Sequence, residues 1–245
     1  MPRIVTYNVH RCVGTDRKLD VNRIVEVIAE LEPDIVALQE LDVGRARTDM
    51  VDQAHEIAQG LEMAFHFHPA MKVEEELYGD AILTHYPERL VQAAPLPGHN
   101  YISALLEPRG ALWVAIDIEG TEVQIINTHL GLVAREKKNQ AIALAGPTWA
   151  GHPRFKSPGI LLGDFNSQPG AAPHRAIGRV LKDARALLPA HRRVGPTYST
   201  KMPLFRIDHV FVTDGIAVRA MFAAHSPLIR LASDHLPLVM DFDLR

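Results

Sequence analysis

Five short segments place oxygen and nitrogen donors where apolar runs end or are interrupted. They are Asn8 after RIVTY, Gln39-Glu40 after DIVAL, Asn127 and His129 in INTHL, Asp164 and Asn166 in LLGDFN, and Asp208 together with Ser233-Asp234-His235. Alternation along an extended chain puts Asp164 and Asn166 on one side. One such segment is ordinarily a cap or a turn, since Asp and Asn favour both. Five would each carry a desolvation cost unless something pairs with them. If they converge, Glu40, Asp164, Asp208 and Asp234 bring four carboxylates together, and their repulsion raises pKa values. A hard cation relieves this. Carboxylates with an Asn amide suit Mg²⁺ or Mn²⁺ with some waters retained. His129 and His235 then suit acid–base or charge-stabilising work beside the ion. A zinc site using both histidines is the alternative, ranked lower because no His-x-x-His or Cys/His cluster has zinc-like spacing.

Two strand–helix–strand units supply the positions. RIVTYNV (3–9) reads as a buried strand, Asp20 as a helix N-cap, and Ile24, Val27, Ile28 and Leu31 as the apolar face of a helix that Pro33 stops. DIVALQEL (34–41) is the second strand. INTHLG, a helix over 135–150 and PGILLGDFN repeat the arrangement. Further strands are read in AFHFHPA, GDAILTH, RLVQAAPL, GALWVAIDIEG, RIDHVFVT, VRAMFAAH and PLVMDFDL, with Glu119-Gly120 as a hairpin turn. Residues 42–50 and the acidic stretch 73–77 read as loops, and 173–187 as a helix. No linker divides the chain, so residues 1–245 form one domain in this reading. Two similar halves, each a sheet with helices on one face, would pack as a four-layer α/β sandwich with strand ends converging at one rim.

Composition limits the partners. Hydrophobic residues make up 47% of the 245, enough for a substantial core. A formal net charge of -3 and the absence of long basic runs argue against non-specific nucleic-acid binding. The single cysteine, Cys12, can form no internal disulfide, which fits a reducing compartment. The N-terminus has no signal-peptide pattern and no apolar run reaches the ~18 residues of a membrane span. A soluble cytoplasmic protein is expected, and nothing in the sequence sets its oligomeric state.

TYNVH, PDIVALQE, YGDAILTHYP, INTHLG, LLGDFNSQP, RIDHVFV and SDHLPLV occur in one order between residues 3 and 239. In that order they resemble the endonuclease/exonuclease/phosphatase superfamily, the deoxyribonuclease I-like proteins, and in particular compact bacterial members with sphingomyelinase-like motifs. The resemblance implies an α/β fold, a four-layer α-β-β-α sandwich of two mixed sheets, and divalent-metal-dependent cleavage of phosphate esters. It implies Glu40 as the principal metal ligand with Asn8 beside it and Asp234 as a second or water-mediated ligand. It further implies Asp164 as the acid that positions or deprotonates the attacking water, Asn166 as an orienting amide, His235 as the phosphoryl contact and Asp208 as the acid holding its imidazole. His129 matches a histidine of the nuclease-I-like and phosphatase-like branches. Arg109, in EPRGAL, and His10 are candidate substrate contacts, though an arginine at a strand start is ordinarily a surface residue.

His85 stands in THYP where the family often has arginine, and aromatics make up only 6%, leaving few platforms for base stacking. A small or lipid-derived phosphodiester is therefore the preferred substrate. A DNA or RNA nuclease is the second reading, and a catalytically inactive binding module on the same fold the third.

Overall fold

The computed structural model describes residues 1–73, 75–98, 107–155 and 158–245. Strand β1 (Arg3–Asn8) leads through helix α1 (Val21–Glu30) to β2 (Ile35–Val43), which lies parallel to β1. Asp20 starts the helix by accepting the Arg23 N–H at 3.0 Å, satisfying one of the donors a helix leaves open at its start. Its Ile24, Val27 and Ile28 are buried. After α2 (Gln53–Gly60) comes the hairpin of β3 (Ala64–Val73) and β4 (Glu76–Thr84). The two strands pair as far as Val73 and Glu76, so the acidic stretch expected as a loop lies largely within a hairpin; residue 74 falls outside the described residues.

Next come β5 (Glu88–Pro95), β6 (Gly110–Ile118) and β7 (Thr121–His129). Glu119 and Gly120 both take positive φ, 52° and 85°, as a two-residue hairpin turn requires. Helix α3 (Ala134–Leu144) leads to β8 (Gly159–Asp164), parallel to β7. It ends earlier than expected, shortly before Gly146-Pro147, since proline cannot continue it. The helix expected over 173–187 is α4 (Ala172–Ile177) alone, ending at Gly178. Lys182–Asp183 then forms β9, and Asp183 caps a 3-10 turn by accepting the Arg185 N–H at 2.9 Å. The chain closes with β10 (Asp208–Val212), β11 (Ile216–Ala223), α5 (Pro227–Ala232) and β12 (Leu238–Leu244).

Two mixed six-stranded sheets result, ordered β11-β12-β1-β2-β4-β3 and β5-β6-β7-β8-β10-β9. The C-terminal hairpin pairs with β1, so the halves are not self-contained: the first sheet joins both ends of the chain. Among the described residues three apolar clusters define four layers. One lies between the sheets, with Ile4, Ile35, Ile125 and Phe242. The second packs the first sheet against α1, α2 and α5, and the third packs the other sheet against α3 and α4. This is the deoxyribonuclease I-like α/β sandwich.

Candidate active site

Strand register aligns the polar residues. His129, ending β7, is level with Asp164, ending β8, and Asp164 stands opposite Asp208, which opens β10. Gly163 permits this closeness. Its φ is 138°, and a Cβ there would lie 1.9 Å from the Thr128 carbonyl oxygen. On the other sheet, Asn8 ends β1 level with Gln39. The Asn8 amide joins the two rims: Nδ2 donates to Glu40 Oε1 at 3.0 Å and to Asp164 Oδ2 at 3.1 Å.

Glu40 does not end its strand. The β2–β4 register shifts between Leu38 and Leu41, and Glu40 has φ 63°. A bulge of this kind re-aims a side chain, and holding a non-glycine residue there costs about 1–3 kcal/mol. Beneath it, buried Gln39 Nε2 donates across the sheets to Asn127 Oδ1 at 2.7 Å. Asn127 Nδ2 in turn donates to the carbonyls of Leu38 and Ala81, at 2.8 and 2.9 Å. Asn127, one of the polar interruptions in the sequence, thus bridges the sheets at Gln39, the residue before Glu40.

Asp164 is buried at the centre. Its Oδ1 accepts the Asn166 N–H at 2.8 Å, while the Nε2 atoms of His129 and His235 lie 3.4 and 3.6 Å from Oδ2. Burial raises its pKa, His235 opposes the rise, Asp208 adds to it, and the value reaches about 7. His235 Nδ1 donates to Asp208 Oδ2 at 3.0 Å. Burial disfavours the imidazolium, but the charges of Asp208 and then Asp164 outweigh it and push the pKa up to about 10. His129 behaves oppositely: burial, then the charges of Arg109 and His235, hold it well below the usual range. An Arg109 N–H donates to His129 Nδ1 at 3.0 Å, and Nε2 faces Asp164. The Asn166 side chain donates to the Leu130 carbonyl at 2.9 Å and lies 3.0 Å from that same Nε2.

Glu40, Arg109, His129, Asp164, Asn166 and His235 line a cavity of about 450 Å³ that also includes His10, Arg11, Tyr78, Glu107, Tyr198 and Asp234, whereas Asn8 and Asp208 are buried and contribute to it through their partners. Arg109 is buried, contrary to the ordinary expectation, and also pairs with Glu107 at 3.1 Å. His10 reaches the wall, but its ring is engaged within the chain. Nδ1 meets the Val13 carbonyl at 3.1 Å and Nε2 meets the Arg11 guanidinium at 2.8 Å, so the ring steadies Arg11. Sequence reasoning passed over Arg11, Tyr78, Asp80 and Tyr198. Arg11 follows TYNVH directly, and residues 10–12 all have positive φ, which tertiary packing must impose.

The donor set fits a hard cation. Glu40, Asp80 and Asp164 crowd together. Asp80 is pushed up to about 8, first by burial and then, against relief from Arg109, by Glu40 and Asp164. Asp208 Oδ1 is buried without a hydrogen-bond partner among the described residues. A divalent ion on oxygen donors relieves such crowding. Asp164, Asp208 and His235 also bring one ligand-type atom each within 4.8 Å of one another. In that trio Asp208 Oδ2 already holds the His235 proton, which makes it an acid–base pair. Zinc on both histidines fits poorly, because Arg109 and Asp208 engage the two Nδ1 atoms and the Asn166 amide sits 3.0 Å from His129 Nε2.

The sequence model of the Endonuclease/Exonuclease/phosphatase family matches residues 5–235. The protein YbhP of Escherichia coli (strain K12), itself called uncharacterized, is 24% identical over 253 residues, spanning 99% of this chain and 96% of its own. An endonuclease/exonuclease/phosphatase structure from Beutenbergia cavernae superposes with a TM-score of 0.78 at 26% identity, covering 99% of this chain and 71% of that one. A mannosyl-6-phosphatase from Bacteroides thetaiotaomicron gives 0.78 at 18% identity over the full length of both chains. The human Nocturnin catalytic domain with bound sulfate gives 0.73 at 21%, covering 100% and 94%. With its motifs in family order and the family model matched over nearly its whole length, the chain belongs to the Endonuclease/Exonuclease/phosphatase family.

Proposed function

We propose that the protein is a divalent-metal-dependent phosphoesterase whose best substrate is a small or lipid-derived phosphodiester. What carries this reading is the convergence on Asp164. Asn8, His129 and His235 place nitrogens 3.1, 3.4 and 3.6 Å from one carboxylate oxygen. A carboxylate so placed, with a pKa near 7, is suited to orient a water and accept its proton as it attacks phosphorus. Glu40 and Asp234 would hold Mg²⁺ or Mn²⁺, which when bound supplies Lewis acidity toward the phosphoryl oxygens. Asn8, its oxygen accepting the His10 N–H at 3.0 Å, steadies Glu40 through its amide N–H instead of ligating. His235, kept cationic by Asp208, donates its Nε2–H to the charge developing on phosphoryl or leaving oxygen. His129 and Asn166 fix the orientation of Asp164. Arg109 presents a charge to the phosphate while donating to His129 Nδ1.

Among the described residues the cavity lining carries four acids, Glu40, Glu107, Asp164 and Asp234, against three cations, Arg11, Arg109 and His235. That balance suits a singly charged diester better than a doubly charged monoester. The test is a screen of purified protein with Mg²⁺ or Mn²⁺ against a bis-aryl phosphodiester, an aryl phosphomonoester, a lysophospholipid, sphingomyelin and plasmid DNA. Turnover of a small or lipid diester above the rest is expected. Faster cutting of DNA installs the nuclease reading, and no turnover of any phosphate ester overturns the hydrolase.

A further inference from the structure

The polar cavity does not end at Asn166. Asn166 and Ile207 belong both to it and to a second, apolar groove of about 510 Å³. One wall of the groove is Ala134, at the start of α3; another is Ala171–Pro173, at the start of α4; Phe205 faces them. The alanines leave the room, and Phe205 is 43% exposed. Lys137 lines the groove with its stem, while its ammonium donates to the Asn166 carbonyl. Its charge is therefore tied to the boundary with the polar cavity, and methylenes face the groove, as long cationic side chains commonly arrange themselves. A concave apolar surface contiguous with a few convergent polar groups is the usual shape of a ligand site.

We infer that this groove is a second substrate subsite and takes an alkyl or acyl-chain substituent of the phosphodiester. The occupant follows from continuity. A substituent that leaves a phosphate beside Asn166 on the Ile207 side enters the groove between Phe205 and the alanine walls, because Asn166 and Ile207 line both spaces. The preferred substrate is therefore amphiphilic, with its charged phosphorus at Asp164 and its apolar part in the groove. This rests on the phosphodiester reading above.

The experiment uses symmetric dialkyl phosphates from dimethyl to dibutyl, with alcohol release followed in Mg²⁺ or Mn²⁺. Symmetry removes the question of which ester oxygen leaves. Dialkylphosphinates of the same chain lengths, equally charged but without an ester bond, are titrated in parallel by calorimetry. Both kcat/KM and phosphinate affinity are expected to rise about two- to fourfold per added methylene, the range for partial to full burial of a CH₂ group. Ala134→Phe, at an exposed position, and independently Ala172→Phe should fill the groove and flatten both series, with thermal melting curves confirming that each variant is folded. Turnover or binding that ignores chain length overturns the subsite. So does a chain-length dependence that both folded variants leave intact. Phosphinate affinity that rises with length and is flattened by the variants supports the groove even if no diester is turned over, and that last result overturns only the hydrolase reading.

Discussion

His235 donates an Nδ1–H hydrogen bond to Asp208 Oδ2 across 3.0 Å, although the two lie 27 positions apart in the chain. Thr197 ties their segments together. Its Oγ1 accepts from the Asp208 N–H at 3.3 Å, and its carbonyl accepts from the Leu236 N–H at 2.7 Å. Without Asp208 the imidazole loses the strongest influence that keeps it protonated. Asp208→Asn and His235→Ala are therefore expected to be non-additive. Each should lower kcat by about a hundredfold or more, and the double variant by little more than the worse single one, because residues acting as a unit do not sum. A double variant whose loss equals the product of the single losses rejects the pairing.

Glu40 contributes through placement as much as charge, since a strained bulge holds it at the rim beside Asn8. Glu40→Gln keeps the size and the hydrogen-bonding oxygen but removes the anion. It should lower phosphoesterase activity at least about a hundredfold, since an ion at such a site stabilises charge by several kcal/mol. Calorimetric titration with Mn²⁺ should show weakened binding in the same variant. Wild-type turnover at saturating Mg²⁺ would remove Glu40 from the metal site.

Much of this was legible in the sequence where local pattern decides. Asn8, His129 and Asp164 lie at strand ends because apolar β-branched runs stop there, and Asp20 and Gly120 announce a cap and a turn by residue type. The order of seven motifs carried the fold. What depended on distant pairing was hidden. Nothing local in ALQEL says that β2 bulges at Glu40 and runs on to Val43. Asp80 reads as one polar residue in a strand until Glu40 and Asp164 are brought beside it. Arg109 looks like a surface arginine until Glu107 and His129 give a buried guanidinium its partners. The apparent helix over 173–187 failed because its second half supplies an edge strand and a capped turn.

Asn127 tests the bridge between the sheets. Asn127→Leu leaves Gln39 Nε2 short of its nearest acceptor and strips the Leu38 and Ala81 carbonyls of a donor in a fully buried place. A buried polar group left unpaired costs about 1–3 kcal/mol. Urea denaturation should therefore show a loss of about 2–4 kcal/mol, with activity falling as Glu40 loses its support. A variant with unchanged stability would show that the amide bridge does not hold the sheets.

Asp183 governs part of the acid stability. Burial opposes its charge, but the hydrogen bond from His174 at 2.9 Å and the charge of Arg206 at 3.3 Å lower its pKa to about 2. The folded value lies below the unfolded value of about 3.9. The stabilisation is thus fully present above about pH 4 and is lost as pH falls through about 2. Asp183→Asn should lower Tm at pH 7 by about 5 °C, and should show a shallower fall in Tm than the wild type between pH 4 and 2. Equal slopes for the two proteins would mean that Asp183 is not held in this pair.

Salt separates the substrate classes. A protein that neutralises several backbone phosphates loses affinity for DNA steeply as salt rises. With a net charge of -3 and cavity cations already partnered by His10, Glu107 and Asp208, this chain has little charge left for that term. kcat/KM on the best small or lipid diester should change less than about eightfold between 20 and 150 mM salt, since a single phosphate contact gives a slope near one or below. Arg109→Lys keeps the charge but cannot hold Glu107 and His129 in one planar fork, so it should lower kcat/KM about tenfold or more. Because Arg109 is buried, Arg109→Ala should destabilise the fold as well, and the lysine variant is the cleaner probe of substrate contact. DNA cleavage that exceeds small-diester turnover at low salt and collapses at 150 mM would place the nucleic-acid backbone in this cavity instead.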